Sequence, residues 1–190
     1  MGRQAVLSVL TVAILFIGAW TLQSTSQAAA DATPGKAYFA GGCFWCMEEA
    51  FEKVEGVLSA TSGYMGGKVA NPSYEEVSAG RTGHAESVEV IYDPSKVSYQ
   101  KLLDAFWHNV DPLTPNAQFC DHGSQYRSAI FFTAPGQEAV ARTSAARLEK
   151  SGKFFGPITT EIALAGPFYA AEEYHQKYYA KHGAGSCRIP

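Results

Sequence analysis

The fold is most readable around residues 36–49, which run Lys36-Ala37-Tyr38-Phe39-Ala40-Gly41-Gly42-Cys43-Phe44-Trp45-Cys46-Met47-Glu48-Glu49. The residues up to Ala40 favour a β-strand, and those from Cys43 to Lys53 favour an α-helix. Two glycines join them, and they allow a sharp turn because a residue without a Cβ tolerates unusual backbone angles. The stretch therefore predicts a strand that turns directly into a helix starting at Cys43.

Cys43 is a candidate redox nucleophile. A helix start has unpaired N–H groups and a favourable dipole, and we expect these to favour the thiolate form of Cys43. Cys46 lies one turn along and is the preferred thiol to attack an oxidised Cys43, while Cys187 near the C-terminus is the alternative and a relay through both stays open. Phe44 and Trp45 can place an aromatic wall beside the sulfur.

The first 30 residues have the pattern of an export signal. Arg3 precedes an apolar stretch over residues 5–20, and Ala28-Ala29-Ala30 fits a cleavage site. The apolar stretch is shorter than the roughly 20 residues that span a bilayer comfortably. We expect cleavage after residue 30, a single catalytic domain over residues 31–190 and a bacterial periplasmic location, with an uncleaved membrane anchor as the alternative.

Composition narrows the class of protein. The formal net charge is −3 and there is no basic block, which argues against a nucleic-acid partner.

Four cysteines in an exported protein usually indicate structural disulfides, but a Cys43–Cys46 bridge would close too small a loop to add much stability. No second paired cysteine or histidine spacing supports a metal site, so none is expected.

Predicted strands and helices alternate along residues 31–190. Strands are expected at 36–40, 57–64, 86–92, 127–133 and 158–164, and helices at 43–53, 73–78, 98–109, 136–151 and 171–182, with a long loop over 111–125. This order predicts a two-layer α+β domain. A long loop in a compact domain is usually functional, and this one holds Cys120, whose role stays open, and Asp121.

Longer motifs carry a family resemblance. The chain resembles the peptide methionine sulfoxide reductases of the A type in six segments: Gly42-Cys43-Phe44-Trp45, Gly63-Tyr64-Met65-Gly66-Gly67, Asn71-Pro72-Ser73-Tyr74-Glu75-Glu76-Val77, Gly83-His84-Ala85-Glu86, Gly123-Ser124-Gln125-Tyr126-Arg127-Ser128, and Pro167-Phe168-Tyr169 with Ala171-Glu172-Glu173-Tyr174-His175-Gln176. Many relatives have glycine where Cys46 stands. Several long motifs in order are far more specific than a lone Cys-x-x-Cys.

The resemblance implies a ferredoxin-like α/β sandwich with elaborations and a long C-terminal coil. It implies reduction of the S epimer of methionine sulfoxide, free or in proteins, without a metal or organic cofactor. The implied site has Cys43 as nucleophile, Phe44 and Trp45 against the substrate methyl group, Glu86, Tyr74 and Tyr126 at the sulfoxide oxygen, and Asp121 supporting the pocket. The implied regenerating partner is an external dithiol, which we expect to be a thioredoxin-like protein, and we expect a monomer.

The chemistry explains why an acid is needed. A sulfoxide oxygen leaves only when it is protonated, so a buried carboxyl whose pKa is raised can act as the donor. We assign that role to Glu86. Three other functions stay open: a general thiol–disulfide oxidoreductase, a cysteine hydrolase that pairs Cys43 with His84 or His108, and a non-enzymatic exported domain held by disulfides.

Overall fold

The computed structural model describes residues 1–2 and 33–183. Its elements are β1 Gly35–Gly41, α1 Phe44–Glu52, β2 Val57–Met65, α2 Tyr74–Ser78, β3 Ala85–Tyr92, α3 Tyr99–His108, β4 Ala117–Gln118, β5 Asp121–His122, β6 Ser128–Phe132, α4 Pro135–Lys150, β7 Glu161–Leu164, β8 Tyr169–Ala170 and α5 Tyr178–His182, with 3₁₀ turns at Ser124–Tyr126 and Glu173–His175. The predicted signal segment and Cys187 lie outside the described residues. Within the described ranges, no helix is long and apolar enough to cross a membrane.

One mixed sheet organises the domain. Its strand order is β7-β6-β1-β3-β2-β8, and β4 and β5 form a separate two-stranded hairpin. Every pair in the large sheet is antiparallel except β6–β7. The coarse prediction of an α+β domain with alternating helices and strands is therefore confirmed.

The central strand β1 is buried on both faces. Ala37 and Phe39 belong to the main core cluster with residues of α1, α3 and α4, and the Phe39 ring lies 4.8 Å from that of Phe51 and 5.5 Å from that of Phe106. Tyr38 and Ala40 belong to a second cluster. This alternation is the two-residue period of a strand, and burial of each large side chain contributes about 2 kcal/mol.

The glycine turn after β1 places Cys43 at the start of α1. Gly42 has a φ of 82°, and a Cβ there would lie 2.5 Å from the Cβ of Gln118. A larger residue would therefore be strained and would push away β4. Cys43 occupies the N-cap position, and its carbonyl accepts hydrogen bonds from the N–H groups of Cys46 and Met47.

The predicted helix over 171–182 is wrong. Only Tyr178–His182 is α-helical, and Lys177 just before it has a left-handed φ of 51°. Distant hydrogen bonds hold the segment instead: the Glu48 carboxylate accepts the Lys177 N–H at 2.8 Å, and the Gln176 side-chain amide bonds both the N–H and the C=O of Ser62. These tertiary hydrogen bonds replace the local bonds of a continuous helix.

Two smaller differences concern the second half of the chain. The loop predicted over 111–125 contains the β4–β5 hairpin, in which Gln118 is paired with Asp121. The last long strand begins at Glu161 rather than at Ile158. Strands of two residues carry too little sequence pattern to be predicted, because their pairing is set by the loop that closes them.

Candidate functional site

A small pocket lies where α1, α2, β3, the β4–β5 hairpin and the turn at Ser124–Tyr126 meet. Its volume is about 160 Å³, and its lining residues are Cys43, Phe44, Trp45, Tyr74, Glu86, Asp121, Tyr126 and Tyr179. Seven of these eight residues are predicted from the sequence. They come from segments up to 136 positions apart, and folding alone brings them together.

Glu86 is the buried acid of the pocket. It lies on the same face of β3 as Val88 and Val90, which belong to the main core, and only 3% of its surface is exposed. The N–H of Phe44 donates to its Oε2 at 3.0 Å. Burial raises the pKa of Glu86 to about 8, assisted by the charge of Asp121 and opposed by the Phe44 N–H. The carboxyl is therefore mostly protonated at neutral pH.

Cys43 is a thiol in the resting site, and the expectation of a favoured thiolate is wrong. A hydrogen bond with the Cys46 thiol, burial and the charge of Glu86 raise the pKa of Cys43 well above its ordinary value. The N–H of Phe44, the first in the helix, donates to Glu86.

Cys46 lies beside Cys43 and the C-terminal segment. Its sulfur is 3.5 Å from the Tyr179 hydroxyl, and its N–H donates to the Cys43 carbonyl at 3.1 Å. Cys43, Cys46 and Cys120 are all free thiols, so the described cysteines form no structural disulfide. Cys120 is exposed at the end of the β4–β5 hairpin, directly before Asp121.

Two tyrosines complete the polar side of the pocket. Burial raises the pKa of both Tyr74 and Tyr126, and the charges of Glu86, Asp121 and Cys43 add to the effect. Both phenols are therefore protonated hydrogen-bond donors over the physiological pH range. Tyr74 begins α2, where its backbone N–H donates to Glu172 at 2.9 Å.

Comparison with known proteins decides the family. The family model described as peptide methionine sulfoxide reductase matches residues 35–190. The chain belongs to the peptide methionine sulfoxide reductase family. It is 58% identical over 153 residues to the peptide methionine sulfoxide reductase MsrA of Methanoculleus marisnigri, covering 80% of this chain and 93% of that protein.

Solved structures agree with this assignment. The reduced form of Mxr1 from Saccharomyces cerevisiae is similar with a TM-score of 0.75 and 32% identity, covering 81% of this chain and 88% of that one. Methionine sulfoxide reductase A of Corynebacterium diphtheriae is similar with a TM-score of 0.73 and 36% identity, covering 84% and 80% respectively.

In this member of the reductase family, a second layer of residues supports the pocket. The layer comprises Glu172, His175 and Tyr178, which come, like the lining residue Tyr179, from the C-terminal segment, defined here as residues 171–183. Tyr178 stacks on the Trp45 indole at 3.7 Å with ring planes 7° apart. Sequence reasoning assigned no role to these residues, although the density of aromatic residues over 174–179 was a usable signal.

The geometry of this reductase fold gives little support to a cysteine hydrolase or to a metal site. Both ring nitrogens of His84 are engaged with backbone, at Gly67 N–H and Val69 C=O. His108 lines a separate groove between α3 and α4. Neither histidine therefore serves as a base for Cys43. In the described ranges, no group of three or more His, Cys, Asp and Glu residues could hold a metal ion.

Proposed function

We propose that the protein reduces the S epimer of methionine sulfoxide, free or within proteins, to methionine. The observation that carries this proposal is a protonated carboxyl, Glu86, sharing a small aromatic pocket with the thiol of Cys43. Sulfoxide reduction needs a nucleophilic sulfur and an acid for the departing oxygen, and general disulfide exchange needs no such acid.

The first step transfers oxygen from substrate to enzyme. Cys43 sulfur attacks the sulfoxide sulfur while Glu86 donates its proton to the sulfoxide oxygen, and the thiol proton replaces the one that Glu86 gave. The attack forms an S–S bond between Cys43 and the substrate; the hydroxyl then moves to the Cys43 sulfur as the S–O and S–S bonds to the substrate sulfur break, so methionine leaves and Cys43 becomes a sulfenic acid. Before substrate binds both groups are uncharged, because the pKa of each is raised.

The remaining pocket residues bind the two ends of the sulfoxide. Tyr74 and Tyr126 donate to the oxygen as it gains negative charge, and Asp121 supports them from β5. Phe44 and Trp45, whose ring centroids are 6.1 Å apart, hold the methyl group. A volume of about 160 Å³ fits a methyl sulfoxide group with part of its side chain, so specificity rests on close packing.

Cys46 then resolves the sulfenic acid. Its thiol attacks the Cys43 sulfur, water leaves, and a Cys43–Cys46 disulfide forms. The two residues lie one turn apart at the start of α1, where the Cys46 N–H donates to the Cys43 carbonyl at 3.1 Å, so the resolving thiol is close to the oxidised sulfur. Cys187 is the alternative resolving thiol or a later member of a relay.

An external dithiol reduces the disulfide by thiol–disulfide exchange. We expect a thioredoxin-like protein in this role, and the enzyme to need no resident cofactor and to act as a monomer. The yeast protein Mxr1 has been solved in complex with Trx2, which is a property of that protein.

The proposal extends to architecture and location. The order β6-β1-β3-β2, with α1 and α3 in the connections between non-adjacent strands, supports a ferredoxin-like core. The charged, apolar and small-residue pattern of residues 1–30 supports export to the periplasm and a single catalytic domain over 31–190. Mass analysis of the protein from a periplasmic fraction tests cleavage after Ala30.

A single-turnover experiment tests the activity. The purified protein is incubated with each epimer of a methionine sulfoxide peptide without reductant, and methionine is counted per enzyme. We expect about one equivalent from the S epimer, a Cys43–Cys46 disulfide by mass analysis, and no methionine from Cys43→Ser. Release from neither epimer would refute the proposal, and a Cys43–Cys187 bond would move the resolving role to the tail.

A further inference from the structure

His175 lies behind the substrate pocket, in contact with three residues that line it. Its ring centroid is 5.0 Å from that of Phe44, 5.5 Å from that of Trp45 and 4.4 Å from that of Tyr74. Only 2% of its surface is exposed. A polar ring in this position needs a reason beyond filling space, since an apolar residue would fill it without losing hydration.

The polar contact of His175 is with the indole of Trp45. The indole N–H donates to Nδ1 at 3.1 Å. Indole is only a donor, so Nδ1 must be the unprotonated acceptor and the ring proton sits on Nε2. Nε2 is buried and finds no hydrogen-bond partner in the described part of the chain, so the bond to the indole is the imidazole's only hydrogen bond among the described residues.

Trp45 is thereby held from two sides. Tyr178 stacks flat on the indole face, and His175 fixes the direction of its N–H edge. Rotation of the indole would require breaking the hydrogen bond and losing the stack together. The rigid placement matters because Trp45 is one of the two rings proposed to contact the substrate methyl group.

We propose that His175 is a positioning residue for the methyl group of the substrate: as a neutral acceptor it holds the Trp45 indole in the pocket wall, and on protonation it releases the indole. A protonated imidazole carries N–H groups at both nitrogens, so it cannot accept from the indole and would instead face its N–H. This inference rests on the proposed function of the pocket.

The surroundings of His175 keep it neutral at physiological pH. Burial lowers its pKa below the ordinary value, while Glu172 and Glu75 oppose the shift by attracting a proton. Of the elements packed against it, α1 presents the uncharged rings of Phe44 and Trp45, and α2 presents Tyr74. Its own turn presents Tyr174, with ring centroids 4.1 Å apart.

The charge of Glu172 is itself held in place. Burial would raise the pKa of this carboxyl, but hydrogen bonds from the Tyr74 N–H and the Tyr64 hydroxyl hold it below its ordinary value. Glu172 therefore stays ionised across the range in which His175 titrates. Glu86, with a pKa of about 8, stays protonated there, so neither carboxyl accounts for a change in substrate binding below pH 6.5.

The test compares His175→Asn with His175→Leu, because the asparagine amide oxygen can replace Nδ1 as acceptor but does not titrate. KM and kcat are measured for methyl sulfoxide and ethyl sulfoxide substrates between pH 5 and 7.5. We expect wild-type KM to rise below pH 6.5 with kcat nearly constant. His175→Leu should raise KM for the methyl substrate about 10-fold at pH 7 and weaken the preference for methyl over ethyl.

His175→Asn should keep KM within about 3-fold of wild type at pH 7 and lose its rise in acid. His108→Leu, at an exposed histidine of the α3–α4 groove, is the control and should leave both parameters unchanged. A fall in kcat at constant KM in the His175 variants, or an acid rise of KM that persists in His175→Asn, would overturn the proposal. Should His175→Leu fail to fold, the pH profile of His175→Asn decides.

An NMR measurement separates this inference from the proposed function. The indole N–H signal of Trp45, assigned by its loss in Trp45→Phe, should shift on acidification in wild type and stay constant with pH in His175→Asn. An indole signal that does not shift with pH in wild type would refute the release of Trp45 by protonated His175, even if the enzyme is active. A shifting signal in a protein without sulfoxide activity would refute the proposed function and leave the hydrogen bond established.

Discussion

Replacing Glu86 by glutamine is expected to remove most of the activity and at the same time to stabilise the fold. Burial raises the pKa of Glu86 from 4.5 to about 8, so between these values the folded state keeps a proton that the unfolded chain releases. The stabilising effect of this proton is complete below pH 4.5 and is lost as the pH rises towards 8. One pKa unit corresponds to about 1.4 kcal/mol, and the loss at pH 7 is therefore about 3 kcal/mol.

Glutamine has the same shape, can accept the Phe44 N–H and carries no charge. Urea unfolding of both proteins under reducing conditions should show a free energy of unfolding that is nearly equal at pH 4. At pH 7 it should favour Glu86→Gln by about 3 kcal/mol. The rate of methionine release should fall by about 10²-fold or more, because the amide cannot supply the proton.

A half-buried carboxylate that is already paired provides the control. Glu89 lies on the same strand and accepts from Lys36 and Tyr38, so Glu89→Gln should lose a small stabilising interaction at pH 7 instead of gaining stability. A Glu86→Gln effect that does not vary with pH would refute the reasoning, because it would mean that the folded and unfolded states ionise this carboxyl alike. Near-normal sulfoxide reduction by the variant would refute its role as acid.

Three further substitutions test separate parts of the structure. Cys46→Ser should still release about one methionine per enzyme but accumulate sulfenic acid on Cys43, seen by mass analysis, and multiple-turnover activity should fall by ~10-fold or more. Tyr126→Phe should lower the single-turnover rate ~10-fold, since one hydrogen-bond donor to the oxygen is lost. The fall in rate as the pH rises past about 8 should remain, because Glu86 is unchanged. Tyr99→Phe should raise the free energy of unfolding by about 1 kcal/mol, measured by urea titration, because its buried hydroxyl has no hydrogen-bond partner within residues 33–183; an unchanged or lower value would indicate a bound water there.

Local pattern accounts for most of the fold that could be predicted. The elements α1, β3 and α3 lie within a residue or two of their predicted bounds, since apolar periodicity and caps such as Ser98, which accepts the Lys101 N–H, act within a few residues of the chain. The prediction of a helix over 171–182 was wrong because distant contacts, and not local pattern, set the conformation of this segment. Its backbone is bound by Glu48 and its Gln176 side chain binds the backbone of Ser62, and no pattern inside the segment indicates a partner far away in the sequence.

In the candidate site, too, some features follow from the local sequence and others only from tertiary contacts. The sequence by itself determined the Gly-Gly-Cys turn, the second thiol one helical turn further on and, through long motifs, which side chains belong together. Only the tertiary structure decided that Cys43 rests as a thiol and Glu86 as an acid, and that His175 holds Trp45. The physical reason is that a pKa depends on how much water remains around a group and which charges face it, and both are set by strands and turns that are distant in the chain.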